Sequence, residues 1–155
     1  NVIAVDLASE KLALAAECGA VAGIDAAKTA DVPAAIREIT QGGAHVSMDA
    51  LGSSITCFNS IACLRRRGRH LQVGLMLADQ ARPVIPMDKV IAHEIEIRGS
   101  HGMQAHRYPA MMDMILSARL RPQKLLGKTL SLAEAPAALM AMDEFAGTGI
   151  SIIVP

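Results

Sequence analysis

Short apolar runs alternate with helical patterns along most of this chain. Val2-Ile3-Ala4-Val5 stops on a single acid, Asp6, and Ser9 to Cys18 then reads as a helix that ends at Gly19. Ala22-Gly23-Ile24 reads as a short strand. Asp31 is placed to cap a helix over about Val32 to Thr40, with Pro33 tolerated in its first turn and Gly42-Gly43 ending it. His45-Val46-Ser47-Met48 is the next strand and turns through Asp49-Ala50-Leu51-Gly52. Ser53 or Ser54 caps a third helix. Its Phe58, Ile61, Ala62 and Leu64 recur at three- and four-residue spacing, and Gly68 stops it. Arg69 to Val73 is a strand ending in Gly74.

The second half is less even. Residues 76–93 hold Pro83 and Pro86 and show no clear period. Glu94-Ile95-Glu96-Ile97-Arg98 alternates strictly, which predicts an edge strand with one face in water, and it breaks into Gly99-Ser100-His101-Gly102. Tyr108, Met111, Met112, Ile115 and Leu116 form a helical face. Ser131 with Glu134 reads as a capping box before a helix carrying Ala135, Leu139, Met142 and Phe145. Pro136 sits deep for that cap, so the first turn is distorted or starts later. Ile150 to Val154 is a last strand. Strands alternating with helices predict βαβ units, hence an α/β fold with a doubly wound, mostly parallel sheet. No repeat or low-complexity linker divides the chain, so residues 1–155 read as one domain.

Composition narrows the function classes. Hydrophobic residues make up 52% and charged ones 19% of 155, which excludes a disordered chain. Aromatics are 2%, so the core is built from Ala, Leu, Ile, Val and nine Met. Formal net charge is zero, which argues against a nucleic-acid partner. Arg65-Arg66-Arg67-Gly68-Arg69 reads as a solvated helix end that favours the C-terminal dipole. No apolar stretch reaches the roughly 18 residues of a membrane span. Cys18, Cys57 and Cys63, odd in number and irregularly spaced, fit a reducing cytoplasm rather than a disulfide framework. Cys57 with Cys63, and His101 with His106, lack zinc-ligand spacing, and neither a G-x-S-x-G elbow nor a carboxylate dyad is present.

In such sheets ligands bind outside the carboxyl ends of the strands. Those ends are Asp6, Asp49 to Gly52, Val73-Gly74-Leu75 and Gly99 to Gly102, and most are small or glycine-containing turns along which a flat ligand can lie. An acid at a strand end is placed to hold two ribose hydroxyls. A carboxylate there favours a free 2′-hydroxyl over a 2′-phosphate, hence NAD over NADP. Lys11, one helical turn on, reaches the same ribose or stays in solvent. His101 reads as a loop histidine acting through its backbone, with a proton relay as the alternative.

The ordered segments V-D-L-A-S-E-K-L, M-D-A-L-G, G-R-H-L-Q-V-G-L, E-I-R-G-S-H-G-M and S-L-A-E-A-P-A-A-L-M-A-M resemble the cofactor domain and C-terminal segment of medium-chain, zinc-dependent alcohol dehydrogenases. The resemblance covers essentially the whole chain. It implies that Asp6 and Lys11 meet the adenosine ribose and that Ala50 and Leu51 flank it. It implies that Val73, Gly74, Leu75, Ser100, His101 and Gly102 line the nicotinamide end. It also implies an oxidoreductase moving hydride between an alcohol or aldehyde and NAD, with a catalytic zinc whose ligands lie outside this chain. A zinc-free quinone or enone reductase and a non-catalytic nucleotide-binding or dimerisation module are the alternatives. Partners would be a small-molecule substrate and a second copy, in a homodimer or homotetramer joined through edge strand 94–98.

Only five residues precede Asp6, whereas the glycine-rich phosphate loop normally lies about 20 residues upstream of this acid. The chain is therefore expected to be a piece of a larger enzyme, truncated within its cofactor domain and ending in a segment that returns toward a catalytic domain. The usual strand order 3-2-1-4-5-6 without its central strand gives two half-sheets with unpaired facing edges. The chain alone is then not expected to be a cofactor-competent monomer.

Overall fold

Thirteen strands and helices follow one another in a computed structural model that describes residues 1–142 and 147–155. In order they are β1 (Ile3–Asp6), α1 (Ser9–Glu17), β2 (Ala22–Asp25), α2 (Val32–Ile39), β3 (Ala44–Asp49), α3 (Ser54–Ala62) and β4 (Leu64–Gln72). Then come α4 (Met87–His93), β5 (Glu96–Gly99), α5 (Tyr108–Leu116), β6 (Leu126–Ser131), α6 (Ala135–Met140) and β7 (Ile150–Val154). Hydrogen-bonded strands fall into three groups, β1-β2, β3-β4-β5 and β6-β7. The β3-β4, β4-β5 and β6-β7 pairs are parallel. No described strand joins β1-β2 to β3-β4-β5.

The chain forms two compact units, Asn1–Gly23 with Met103–Pro155, and Ile24–Gly102. In the first, α1 packs on β1 and the Lys124 amine donates to the Glu17 carbonyl at the end of α1. In the second, local chemistry starts and stops each helix. Asp31 accepts from the Ala34 amide at 2.8 Å and Pro33 sits in the first turn of α2. Ser53 caps α3 through a reciprocal box with Thr56. Every fully buried side chain among the described residues belongs to this second unit. Its core is Cys57, Ile61, Leu64 and Ile95, with Ala44, Met76, Ile85 and Val90 packed around them.

Several expectations are corrected. The arginine run is not a helix end. The helix α3 closes at Cys63, and Leu64, fully buried, already begins β4. Between the Ala44–Leu64 and Val46–Arg69 pairs β4 carries three extra residues, so Arg65, Arg66 and Arg67 form an exposed bulge with Arg67 at φ +58°. Arg37 and Lys89 take over at the negative end of α3, both donating to the Ala62 carbonyl. Residues 76–93, expected to be irregular, contain α4, which begins after Pro86 and ends at Glu94 in a left-handed conformation. That turn delays β5 to Glu96. Ile95 is buried while Ile97 is 42% exposed, so the alternation does not mark one covered face. β5 does lie at an edge of its sheet. Strand β6 was not anticipated. The Glu134 carboxylate accepts from the Ser131 amide and hydroxyl, yet the helix starts later, at Ala135 with Pro136 in its first turn. α6 stops at Met140, short of Met142, and Phe145 lies outside the described residues.

Ile61 has 0% exposure at the centre of the core. Ile61→Ala removes that contact and leaves a cavity, so a loss of about 3 kcal/mol is expected. A fall in the urea midpoint at unchanged slope measures it.

Candidate functional site

Asp49, the last residue of β3, is 3% exposed and holds two loops together. Its Oδ1 accepts from the Leu51 and Gly52 amides at 3.0 and 3.1 Å. Its Oδ2 accepts from the Gln72 side-chain amide at 2.8 Å. Its main-chain carbonyl accepts from the Val73 and Gly74 amides at 2.9 and 2.8 Å. The loop after β3 and the loop after β4 are thus tied to one residue. Burial alone would raise the Asp49 carboxyl. The donors from Gln72, Gly52, Leu51 and Thr56 outweigh it and hold the group below the ordinary carboxylate range.

The two loops touch backbone to backbone. A Cβ on Gly52, which has φ +86°, would lie 2.2 Å from the Leu75 carbonyl oxygen. A Cβ on Gly74 would lie 2.2 Å from the Gly52 amide nitrogen. Only glycine at both positions permits this approach. The expected residues Ala50, Leu51, Val73, Gly74 and Leu75 are therefore brought together, with the Leu51, Val73 and Leu75 side chains exposed beside the contact. The Ser100 amide donates to the Gln72 carbonyl at 2.9 Å, which carries the β5 end along the same sheet edge. His101 and Gly102 follow it and are exposed.

Asp6 and Lys11 belong to the first unit. β1 ends at Asp6, which is half-exposed. Its Oδ1 accepts from the Ala8 amide at 3.0 Å, which steadies the turn into α1, and its Oδ2 has no hydrogen-bond partner among the described residues. An acid with one oxygen anchored and one open suits a diol. Lys11 is half-buried in the first turn of α1.

A polar file on β4 went unnoticed in the sequence. His70, with 0% exposure, has Nδ1 at 3.0 Å from Ser60 Oγ and 3.2 Å from Ser47 Oγ. Its Nε2 lies 3.1 Å from Gln72 Oε1, and Gln72 Nε2 donates on to Asp49 and to the Gly74 carbonyl. The signal was H-x-Q, two polar residues on the same strand face as Ser47 and Asp49 of the neighbouring strand. Among the described residues, no group of three His, Cys, Asp or Glu is placed to hold a metal ion.

A family model for the zinc-binding dehydrogenases matches residues 1–117. The chain belongs to the zinc-binding dehydrogenase family. It is 31% identical to the erythritol/L-threitol dehydrogenase of Mycolicibacterium smegmatis, over 86% of this chain and 36% of that protein. It is 29% identical to an NAD-dependent alcohol dehydrogenase of Sulfurisphaera tokodaii, over 100% of this chain and 43% of that protein. The alcohol dehydrogenase of Aeropyrum pernix superposes with a TM-score of 0.85 at 27% identity, covering 99% of this chain and 42% of that one. The chain spans less than half the length of these relatives. This likeness confirms the α/β, Rossmann-type fold class.

The sign of the Asp49 contribution follows from its lowered value. The folded group ionises below the unfolded carboxylate, near pH 3.9, so its stabilisation is complete above that value and disappears as pH falls through the folded one. The stability gap between wild type and Asp49→Asn should be flat near neutrality and close in acid, as read by urea unfolding from pH 7 to pH 3.

Proposed function

We propose that this chain supplies coenzyme-binding surface to an oxidoreductase that moves hydride between an alcohol or aldehyde and NAD. Membership of the zinc-binding dehydrogenase family supports this reading, as do relatives named as alcohol or polyol dehydrogenases. The observation that carries it is Asp6, a half-exposed carboxylate with one open oxygen at the end of β1. Asp6 would accept from the two ribose hydroxyls of the adenosine, and Lys11 would close over the same sugar. In the second unit, the exposed apolar side chains of Leu51, Val73 and Leu75, with Ala50 beside them, suit the flat faces of a dinucleotide. Ser100, His101 and Gly102 would complete the nicotinamide end, mainly through backbone groups. Bound NAD supplies the hydride acceptor. The described residues offer no fit for zinc, so the metal of this reading sits on ligands elsewhere, and no step is drawn through it.

In the same reading, residues 1–155 comprise part of an NAD-binding domain together with a C-terminal segment that returns toward a catalytic domain. The compartment is the reducing cytoplasm, where free thiols such as the buried Cys57 and Cys63 persist. No described helix is long and apolar enough to cross a membrane.

A second copy would add to the free edge of β5. The Ser100 amide points to β4, so by alternation the amides of Arg98 and Glu96 do as well, and those of Ile97 and Gly99 face outward. Ile97→Pro removes an outward donor and spares the ladder to β4. Sedimentation should show weaker self-association, and an unchanged mass would contradict the edge pairing.

Asp6→Ser tests the coenzyme assignment. Without the carboxylate, NAD should bind about tenfold more weakly, a change of about 1.4 kcal/mol, while NADP binds better. Titration of both nucleotides checks the ratio, and an unaltered preference would remove Asp6 from the site.

A further inference from the structure

We propose that His70 and Gln72 are positioning residues for the dinucleotide site. They form a relay, buried at His70 and half-buried at Gln72, that fixes Asp49 and, through it, both loops on the sheet edge. The inference deepens the coenzyme reading above and rests on it.

The relay has a direction set by one charge. Asp49 is ionised, and a carboxylate oxygen only accepts, so the Gln72 amide nitrogen must face Oδ2 at 2.8 Å. The Gln72 carbonyl oxygen is then turned to His70 Nε2 at 3.1 Å. An amide oxygen also only accepts, so Nε2 carries the imidazole hydrogen. Nδ1 is left as the acceptor for the hydroxyls of Ser60 and Ser47, at 3.0 and 3.2 Å. Every polar atom in the file has one consistent role, and reversing any member reverses the rest. The file connects α3, through Ser60, to the strand ends. Gln72 also donates to the Gly74 carbonyl at 3.0 Å, so one carboxamide grips both sides of the contact between Gly52 and Gly74. None of the relay side chains belongs to the exposed rim formed by Leu51, Val73 and Leu75. Their effect on a ligand passes through Asp49 and the loop backbone.

Four variants test this in the protein as its own gene encodes it. Gln72→Leu keeps the volume and deletes the bridge. NAD affinity should fall about tenfold, with faster hydrogen exchange at the Leu51, Gly52, Val73 and Gly74 amides. His70→Leu should do the same, and His70→Gln, which keeps a donor for the Gln72 oxygen, should restore affinity to within about threefold. Asp49→Asn gives the signature that loss of packing alone cannot give. Its amide nitrogen takes the place of Oδ2, the Gln72 carboxamide turns over and gives up its bond to the Gly74 carbonyl, and the His70 hydrogen moves from Nε2 to Nδ1. Nitrogen-15 spectra of the ring should show the unprotonated nitrogen switching from Nδ1 in wild type to Nε2 in the folded variant.

Identical ring spectra in both proteins overturn the relay. So does a folded Gln72→Leu protein with wild-type NAD affinity and amide protection, and the coenzyme reading then stands. If the wild type fails to bind NAD, the coenzyme reading falls, and with it the positioning role. A tautomer switch would then show only a structural relay.

Discussion

A carboxylate buried at the end of β3 governs the sheet edge. An ionised group out of water is tolerated only when its oxygens are filled by donors. Asp49 obtains them from the amides of Leu51 and Gly52 on one oxygen and from Gln72 on the other. Filling those bonds dictates the path of the chain after β3, because the turn must bend back to offer two successive amides. It also draws in the chain after β4, whose Val73 and Gly74 amides close on the Asp49 carbonyl. Ser53 then caps α3 immediately after the turn, so the start of that helix inherits its position from the same residue.

Much of this was legible where a residue announces its own backbone. Asp31, Ser53 and Gly19 mark helix boundaries through side-chain acceptors or φ +109°, and the structure uses all three so. The misses share a cause. Arg67 and Glu94 adopt left-handed conformations without being glycine, so the bulge in β4 and the end of α4 carry no visible punctuation. β6 reads L-G-K-T-L-S and has only Leu130 half-buried, too little apolar contrast to stand out. At the site, the strand ends were legible because glycine and aspartate break apolar runs. The inward file of His70 and Gln72 was not, since polar residues at alternate strand positions ordinarily face water.

The two units differ in how they hold themselves together. Residues 24–102 enclose Ile61, Leu64 and Ile95, and long side chains from α2 and α4 meet at the end of α3. Over residues 1–23 and 103–155, the described helices have no buried side chain, and Leu116 and Met140 remain largely in solvent. Ordering there comes from strand ladders and turn bonds, such as the Val21 amide on the Val2 carbonyl. Slowest amide exchange is accordingly expected in the segment carrying the core.

The approach between Gly52 and Gly74 is made of main chain alone. Frame and façade are therefore separable: Ala50, Leu51, Val73 and Leu75 can be exchanged for other side chains while the glycines and Asp49 keep the scaffold in register. Such an edge is an interchangeable lining on a fixed mount, which makes those four positions the natural place to diversify a library for altered ligand preference.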